Sequence, residues 1–228
     1  MKVMKFGGTS VGSPDRMKNV ASLITESGDP TFVVLSAMSG TTNSLIEISN
    51  YLYKKNPDGA NEVINTLEKK YMQHVEELYS TDEYKEKTRE FLREEFKYMR
   101  SFTKDIFTSF EEKSIVAQGE IMSTNMVLNY LQEQGIKATL LSAFDFMRTD
   151  KNAEPDAQYI KEKLTAIMTE NEGYQIYITQ GFICLNAYGE IDNLQRGGSD
   201  FTASLIGVAL GAEEIQIWTD IDGMHNND

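Results

Sequence analysis

The strongest constraint on this chain is a short apolar run, Val3 to Phe6, that breaks at once into Gly7, Gly8, Thr9, Ser10, Val11 and Gly12. The pattern predicts a strand feeding a tight turn. Its glycines let the backbone take positive φ and let an anion approach the main chain closely. Thr9, Ser10 and Ser13 are candidate caps for a following helix, and Pro14 suits that helix's first turn. A helix N-terminus behind such a turn presents free N–H groups and the positive end of the dipole, which favours phosphate. Lys5 adds a cation at the same strand end, although the order differs from the P-loop, where lysine follows the glycines. Taken alone, the string fits an ordinary strand-to-helix turn equally well.

The rest of the chain repeats this alternation. Met17, Val20, Ala21 and Ile24 keep helical spacing, with Gly28 and Pro30 as stops. Thr31 to Leu35 is a continuous β-branched and aromatic run, as expected for a strand covered on both faces of a parallel sheet. It ends in a second small, hydroxyl-rich turn, Ser36 to Asn43, ahead of a helix carrying Leu45, Ile46, Ile48 and Leu52. Residues 58–135 lack strand-like runs and form a mostly helical segment. Val63, Leu67, Tyr71, Val75 and Leu78 mark one amphipathic helix, and Tyr84 through Phe102, Ile106 and Phe110 a second. These stripes do not keep strict heptads, so the segment is expected to pack on its own domain. Ser109 and Glu112 fit a capping box for a third helix, along which Glu120 stands among small and apolar neighbours. A carboxylate so placed is either at the surface or a ligand for a cation.

Further on, Lys137 to Ser142 reads as a strand, Phe144 to Asp150 as a loop, Pro155 to Met168 as a helix and Tyr174 to Thr179 as a strand. A hairpin, Phe182 to Leu185 and Ile191 to Leu194, delivers Gln195 to Asp200 to an apolar helix, Phe201 to Leu210, with Ser199 or Asp200 as its cap. Ile215 to Trp218 is the last strand, followed by Thr219, Asp220 and a polar tail. In open α/β sheets ligands sit at the carboxyl ends of the strands, and here three such ends carry glycine turns.

Charge sharpens the reading. The 228 residues carry 22 Lys and Arg against 35 Asp and Glu, a net charge of -13, which disfavours nucleic acid and anionic membrane surfaces as partners. An anionic ligand must therefore be held by a local cluster of positive groups, for which Lys5 and Arg196 are the candidates. A guanidinium beside a helix N-terminus can grip a carboxylate or phosphate with two parallel bonds, although a loop arginine is often only a surface residue. Asp200 and Asp220 could bind Mg²⁺ or orient the lysine, or serve merely as cap and turn former. Cys184 is the single cysteine, so no internal disulfide can form, and a soluble, cytoplasmic protein is expected.

In order along the chain, KFGGTSVG at 5–12, SAMSGTTN at 36–43, QGE at 118–120, MRTD at 147–150, TQGF at 179–182, LQRGGSD at 194–200 and WTDIDG at 218–223 resemble the motifs of aspartate kinases. That resemblance covers nearly the whole chain. It implies the amino acid kinase fold, an α/β three-layer αβα sandwich with a mainly parallel central sheet, here with a helical insertion. It implies phosphoryl transfer from ATP, with Mg²⁺, to the side-chain carboxylate of L-aspartate, opening lysine, threonine and methionine biosynthesis. By resemblance Lys5 and Asp200 are catalytic, and Lys5, Gly7, Gly8, Ser39, Thr219 and Asp220 bind ATP and its phosphates. Thr42, Glu120, Phe182, Arg196 and Ser199 line the aspartate pocket.

Gln118 stands where relatives often carry histidine, so no proton role is expected there. Relatives continue beyond the position of Asp228 into the rest of a nucleotide lobe and regulatory domains, and the full-length form is expected to be a homodimer. The ATP pocket within residues 1–228 is accordingly expected to be incomplete, and low or no activity is expected of these residues alone. Another small-acid kinase, or an aspartate-binding fragment without turnover, are the alternatives.

Overall fold

The computed structural model describes residues 1–104, 106–194 and 197–219. Five strands form one all-parallel sheet in the order β3-β4-β2-β1-β7: β1 (Lys2–Phe6), β2 (Thr31–Leu35), β3 (Ala138–Leu140), β4 (Ile176–Gln180) and β7 (Glu214–Trp218). A separate antiparallel pair, β5 (Ile183–Leu185) and β6 (Ile191–Asn193), makes the hairpin. The helices are α1 (Pro14–Thr25), α2 (Thr41–Tyr53), α3 (Pro57–Leu78), α4 (Asp82–Ser101), α5 (Ser109–Glu133), α6 (Ala143–Phe146), α7 (Ala157–Glu170) and α8 (Gly198–Leu210).

Alternate side chains of each strand point to opposite faces, and the core divides accordingly. Met4, Phe6, Val33, Leu35, Ile176 and Ile178 face the packed interior of α1 to α5. Val3, Phe32, Val34 and Tyr177 face α6, α7, α8 and the hairpin. This is the expected three-layer sandwich, and it explains why Thr31–Leu35 reads as an unbroken apolar run: all five of its residues are buried. The same alternation puts Lys5 on the α8 side of the sheet while its neighbours Met4 and Phe6 enter the other core.

Several boundaries differ from the sequence-based expectation. The second helix of the insertion stops at Ser101 and a short 3-10 turn, Phe102–Lys104, because the apolar stripe gives out: Ile106 is 85% exposed and Phe110 begins the next helix instead. The capping box of α5 is built one residue earlier, by Thr108 and Glu111 rather than Ser109 and Glu112. Both pairs satisfy the spacing rule, and the extended backbone at Thr108 decides between them. The Lys137–Ser142 strand is only three residues long, and the loop from Phe144 contains part of α6. Neither Ser199 nor Asp200 caps α8. Its N-cap is Gly197, at φ 83°, which puts both residues inside the first turn instead.

Candidate active site

Three turns at the carboxyl ends of β1, β2 and β4 meet above the sheet and are stitched together through the backbone. Ser36 N donates to Phe6 O at 3.2 Å, Ser39 N to Gly8 O at 3.0 Å, and Gly181 N to Leu35 O at 2.9 Å. The approach is so close that side chains are excluded. A Cβ on Gly8 would stand 2.7 Å from Ala37 O, and one on Gly181 would stand 2.5 to 2.9 Å from Ser199 Oγ, Cβ and Cα. Between the turns lies a cavity of about 410 Å³ lined by Lys5, Gly7, Gly8, Ser36 to Gly40, Thr42, Asn43, Glu120, Phe182 and Gly197 to Asp200.

Two helix N-termini open into it. The N-caps of α2 and α8 are Gly40 and Gly197, at φ 82° and 83°, and neither helix start receives a side-chain cap. Uncapped first-turn N–H groups and the positive dipole ends therefore point at one space, an arrangement suited to a polyanion. Lys5, 8% exposed, reaches the same space and pairs with Asp200 of α8 at 2.6 Å. A hydroxyl pair, Ser36 Oγ and Ser199 Oγ at 2.9 Å, ties the β2 turn to α8, and Ser123 Oγ of α5 donates to Ser36 O at 2.7 Å.

Phe182 lines the cavity at φ 69°, a conformation that costs a bulky residue roughly 1–3 kcal/mol and persists only where its surroundings fix it. Those surroundings are the bonds Phe182 N to Thr202 Oγ1 at 3.1 Å and Leu194 N to Phe182 O at 2.7 Å. Strain of this kind gathers at functional sites, and here it aims the aromatic ring over Gly198.

The same cavity is lined by Glu120, delivered by α5 and 4% exposed. Its Oε1 accepts from Ala37 N at 3.3 Å, while Oε2 has no partner. Burial pushes its carboxyl up to about 8, with the Ala37 N–H working weakly the other way. Between the ordinary value of 4.5 and about 8, the unfolded chain therefore binds fewer protons than the native one, and stability falls as pH rises across that window. Glu120→Gln removes this slope. Urea melts should show the variant gaining on the parent between about pH 5 and about pH 7 by on the order of 2 kcal/mol. Parallel pH profiles for the two proteins would show that the carboxyl is ionised in the native state.

Of the residues singled out in the sequence, Lys5, Gly7, Gly8, Ser39, Thr42, Glu120, Phe182, Ser199 and Asp200 all line this one cavity. Thr219 does not: it lines a separate hollow on the α1 side of the sheet with Phe6, Arg16 and Trp218. Arg196 and Asp220 lie outside the described residues. Sequence reasoning missed Lys70 of α3, whose Nζ donates to Ser39 O at 3.1 Å across 31 residues of chain. A lysine on an amphipathic surface helix carries no local sign that it will reach a distant turn. Nor does the sequence distinguish Ser36 from the rest of its hydroxyl-rich turn.

A model of the amino acid kinase family matches residues 1–228, the whole chain. The chain belongs to that family. Within the family it is 32% identical over 231 residues to lysine-sensitive aspartokinase 3 of Escherichia coli (strain K12), covering 99% of this chain and 50% of that protein. It is 34% identical to aspartokinase 2, chloroplastic, of Arabidopsis thaliana, over 97% of this chain and 42% of the relative. The structure of E. coli aspartokinase III in complex with aspartate and ADP aligns at a TM-score of 0.84 and 32% identity, over 98% of this chain and 50% of that one. The chain thus spans about half the length of the relatives it matches. Among its described residues no helix is long and apolar enough to cross a membrane.

Proposed function

We propose that this amino acid kinase cleft transfers the γ-phosphoryl group of ATP to the side-chain carboxylate of L-aspartate, giving 4-phospho-L-aspartate and ADP. The observation that carries the reading is the convergence of two uncapped helix N-termini and Lys5 on a cavity that is also lined by the buried carboxyl of Glu120. The first group suits phosphates, and the second suits an ammonium. A structure of E. coli aspartokinase III with aspartate and ADP, at 32% identity, supports the choice of substrates.

The chemistry asks little of the protein beyond placement and charge. A carboxylate with a pKa of roughly 4 is already ionised at neutral pH, so the nucleophile needs no general base. The barrier lies in bringing one anion against another, and catalysis is positioning plus electrostatic stabilisation. Gly7, Gly8 and Ser39 offer the turn that takes the phosphates, and Lys5 neutralises the transferring group while Asp200 holds it in line. Thr42, Phe182 and Ser199 shape the aspartate side, with Glu120 for its ammonium and Arg196 for its α-carboxylate. Thr219 and Asp220 belong to the nucleotide side. Among the described residues no group of three or more His, Cys, Asp or Glu could hold a metal. Mg²⁺ fits the proposal as the ion that ATP brings, since it is commonly held by phosphates, waters and one or two carboxylates. The reading includes a homodimer and a cytoplasmic setting.

The test is ADP release with L-aspartate, L-glutamate and N-acetyl-L-glutamate as acceptors, with trapping of the acyl phosphate by hydroxylamine. Turnover with aspartate at least about tenfold above the others is expected, equivalent to roughly 1.4 kcal/mol of discrimination. Preference for another acceptor overturns the substrate. Saturable aspartate binding without ADP release overturns catalysis by this chain.

A further inference from the structure

Glu120, proposed to take the substrate's ammonium, is the buried group whose protonation state the transfer itself does not fix. It is 4% exposed, lines the cavity, and keeps one oxygen on Ala37 N and the other without a partner. An unpaired buried carboxylate is costly, and the cheaper state of such a group is neutral. The groups around it do not supply a counter-charge. Tyr71 of α3 is fully buried, bonded to Thr41 at 3.0 Å, and held neutral by that burial. Across the cavity the Lys5 cation is already engaged by Asp200 at 2.6 Å. The α5 neighbours in the helix, Gln118, Gly119, Ile121 and Ser123, carry no charge.

We propose that the cavity exchanges a proton for the ammonium of its amino acid ligand: the Glu120 carboxyl is protonated in the unliganded protein, loses its proton to solvent as the ammonium docks on Oε2, and is a carboxylate in the complex. The proton leaves as a solvent species and the O–H bond is replaced by a charge-assisted N–H···O contact, so the step balances without any further reagent. It rests on the aspartate reading of the site and adds a selection rule. A ligand without an ammonium group meets a neutral acid there, and one with it is bound more tightly as pH rises towards the value at which the free carboxyl ionises.

The experiment is calorimetric titration of the protein with L-aspartate in two buffers of different ionisation enthalpy, phosphate and Tris. Near pH 7 the two heats should differ by the release of close to one proton per aspartate, falling by half or more as pH passes about 8. Succinate, which lacks the ammonium, should bind with no proton release, and Glu120→Gln should bind aspartate weakly and without exchange. Equal aspartate heats in both buffers, or proton release that survives in Glu120→Gln, would overturn the exchange while leaving the aspartate site standing. Absence of saturable aspartate binding removes both. Because Gln matches Glu in size, a folded variant with an unchanged melting profile near pH 5 is the control on structure.

Discussion

Replacing Lys5 by Met in an active form of the enzyme should lower kcat by roughly 10²–10³ while shifting the aspartate KM by no more than about threefold. The split follows from where the cation sits. Lys5 lies at the carboxyl end of a central strand, beside Gly7 and in the cavity wall proposed to face the phosphates, so its charge should count most when negative charge accumulates on the transferring group. Methionine keeps the unbranched stem and the packing of a residue that is 8% exposed. Loss of the ion pair leaves Asp200 with a side chain 52% exposed, so no buried charge is orphaned and the fold should survive. Steady-state kinetics with both substrates varied checks it. Equal losses in kcat and in aspartate affinity would mean that Lys5 binds the ground state and not the transition state.

Gly8→Ala should damage stability and activity together, although it adds one methyl group. The new Cβ would lie 2.7 Å from Ala37 O, a backbone atom that cannot swing aside. The turn carrying Ala37 is fixed from two directions, by Ser39 N on Gly8 O at 3.0 Å and by Ala37 N on Glu120 at 3.3 Å. Overpacking of this sort costs about 1–3 kcal/mol, which at this chain length is a fall in Tm of roughly 2–10 °C. The turn proposed to take the phosphates must open to accept the methyl, so kcat/KM for ATP should fall more than about tenfold, the equivalent of roughly 1.4 kcal/mol. A variant with the parent's melting curve and ATP kinetics would show that the two turns are not held as tightly as the contact implies.

The parts of the fold that could be read in advance are those where one local signal acts alone. Thr31–Leu35 is found at the expected bounds because five consecutive buried residues leave no alternative period. The α3 stripe likewise keeps its spacing from Ala60 to Leu78. Where two local signals compete, the chain decides by tertiary contact. Thr108 and Ser109 are both fit to cap α5, and Phe110 fits the stripe of either helix beside it. Around the cavity, glycine turns and Glu120 could be read because small residues and an isolated carboxylate are unusual in those settings. The reach of Lys70 to Ser39 and the Ser36–Ser199 pair could not, since they join residues 31 and 163 positions apart and depend on how whole helices dock. The strained backbone at Phe182 is of the same kind, for nothing in its flanking residues demands a positive φ.

The open side of β7 has a wider meaning. Four of its five residues are exposed, with Ile215, Ile217 and Trp218 each 38–39% accessible, yet Gly7 N donates to Trp218 O and Trp218 stacks on Phe6 at 5.8 Å. Among the described residues no strand lies on the outer side of β7, and an unpaired strand edge is a template for one more strand, whichever polypeptide supplies it. Since the Trp218 carbonyl also accepts from Gly7 N, a strand added to that edge would bear directly on the turn proposed to take the phosphates.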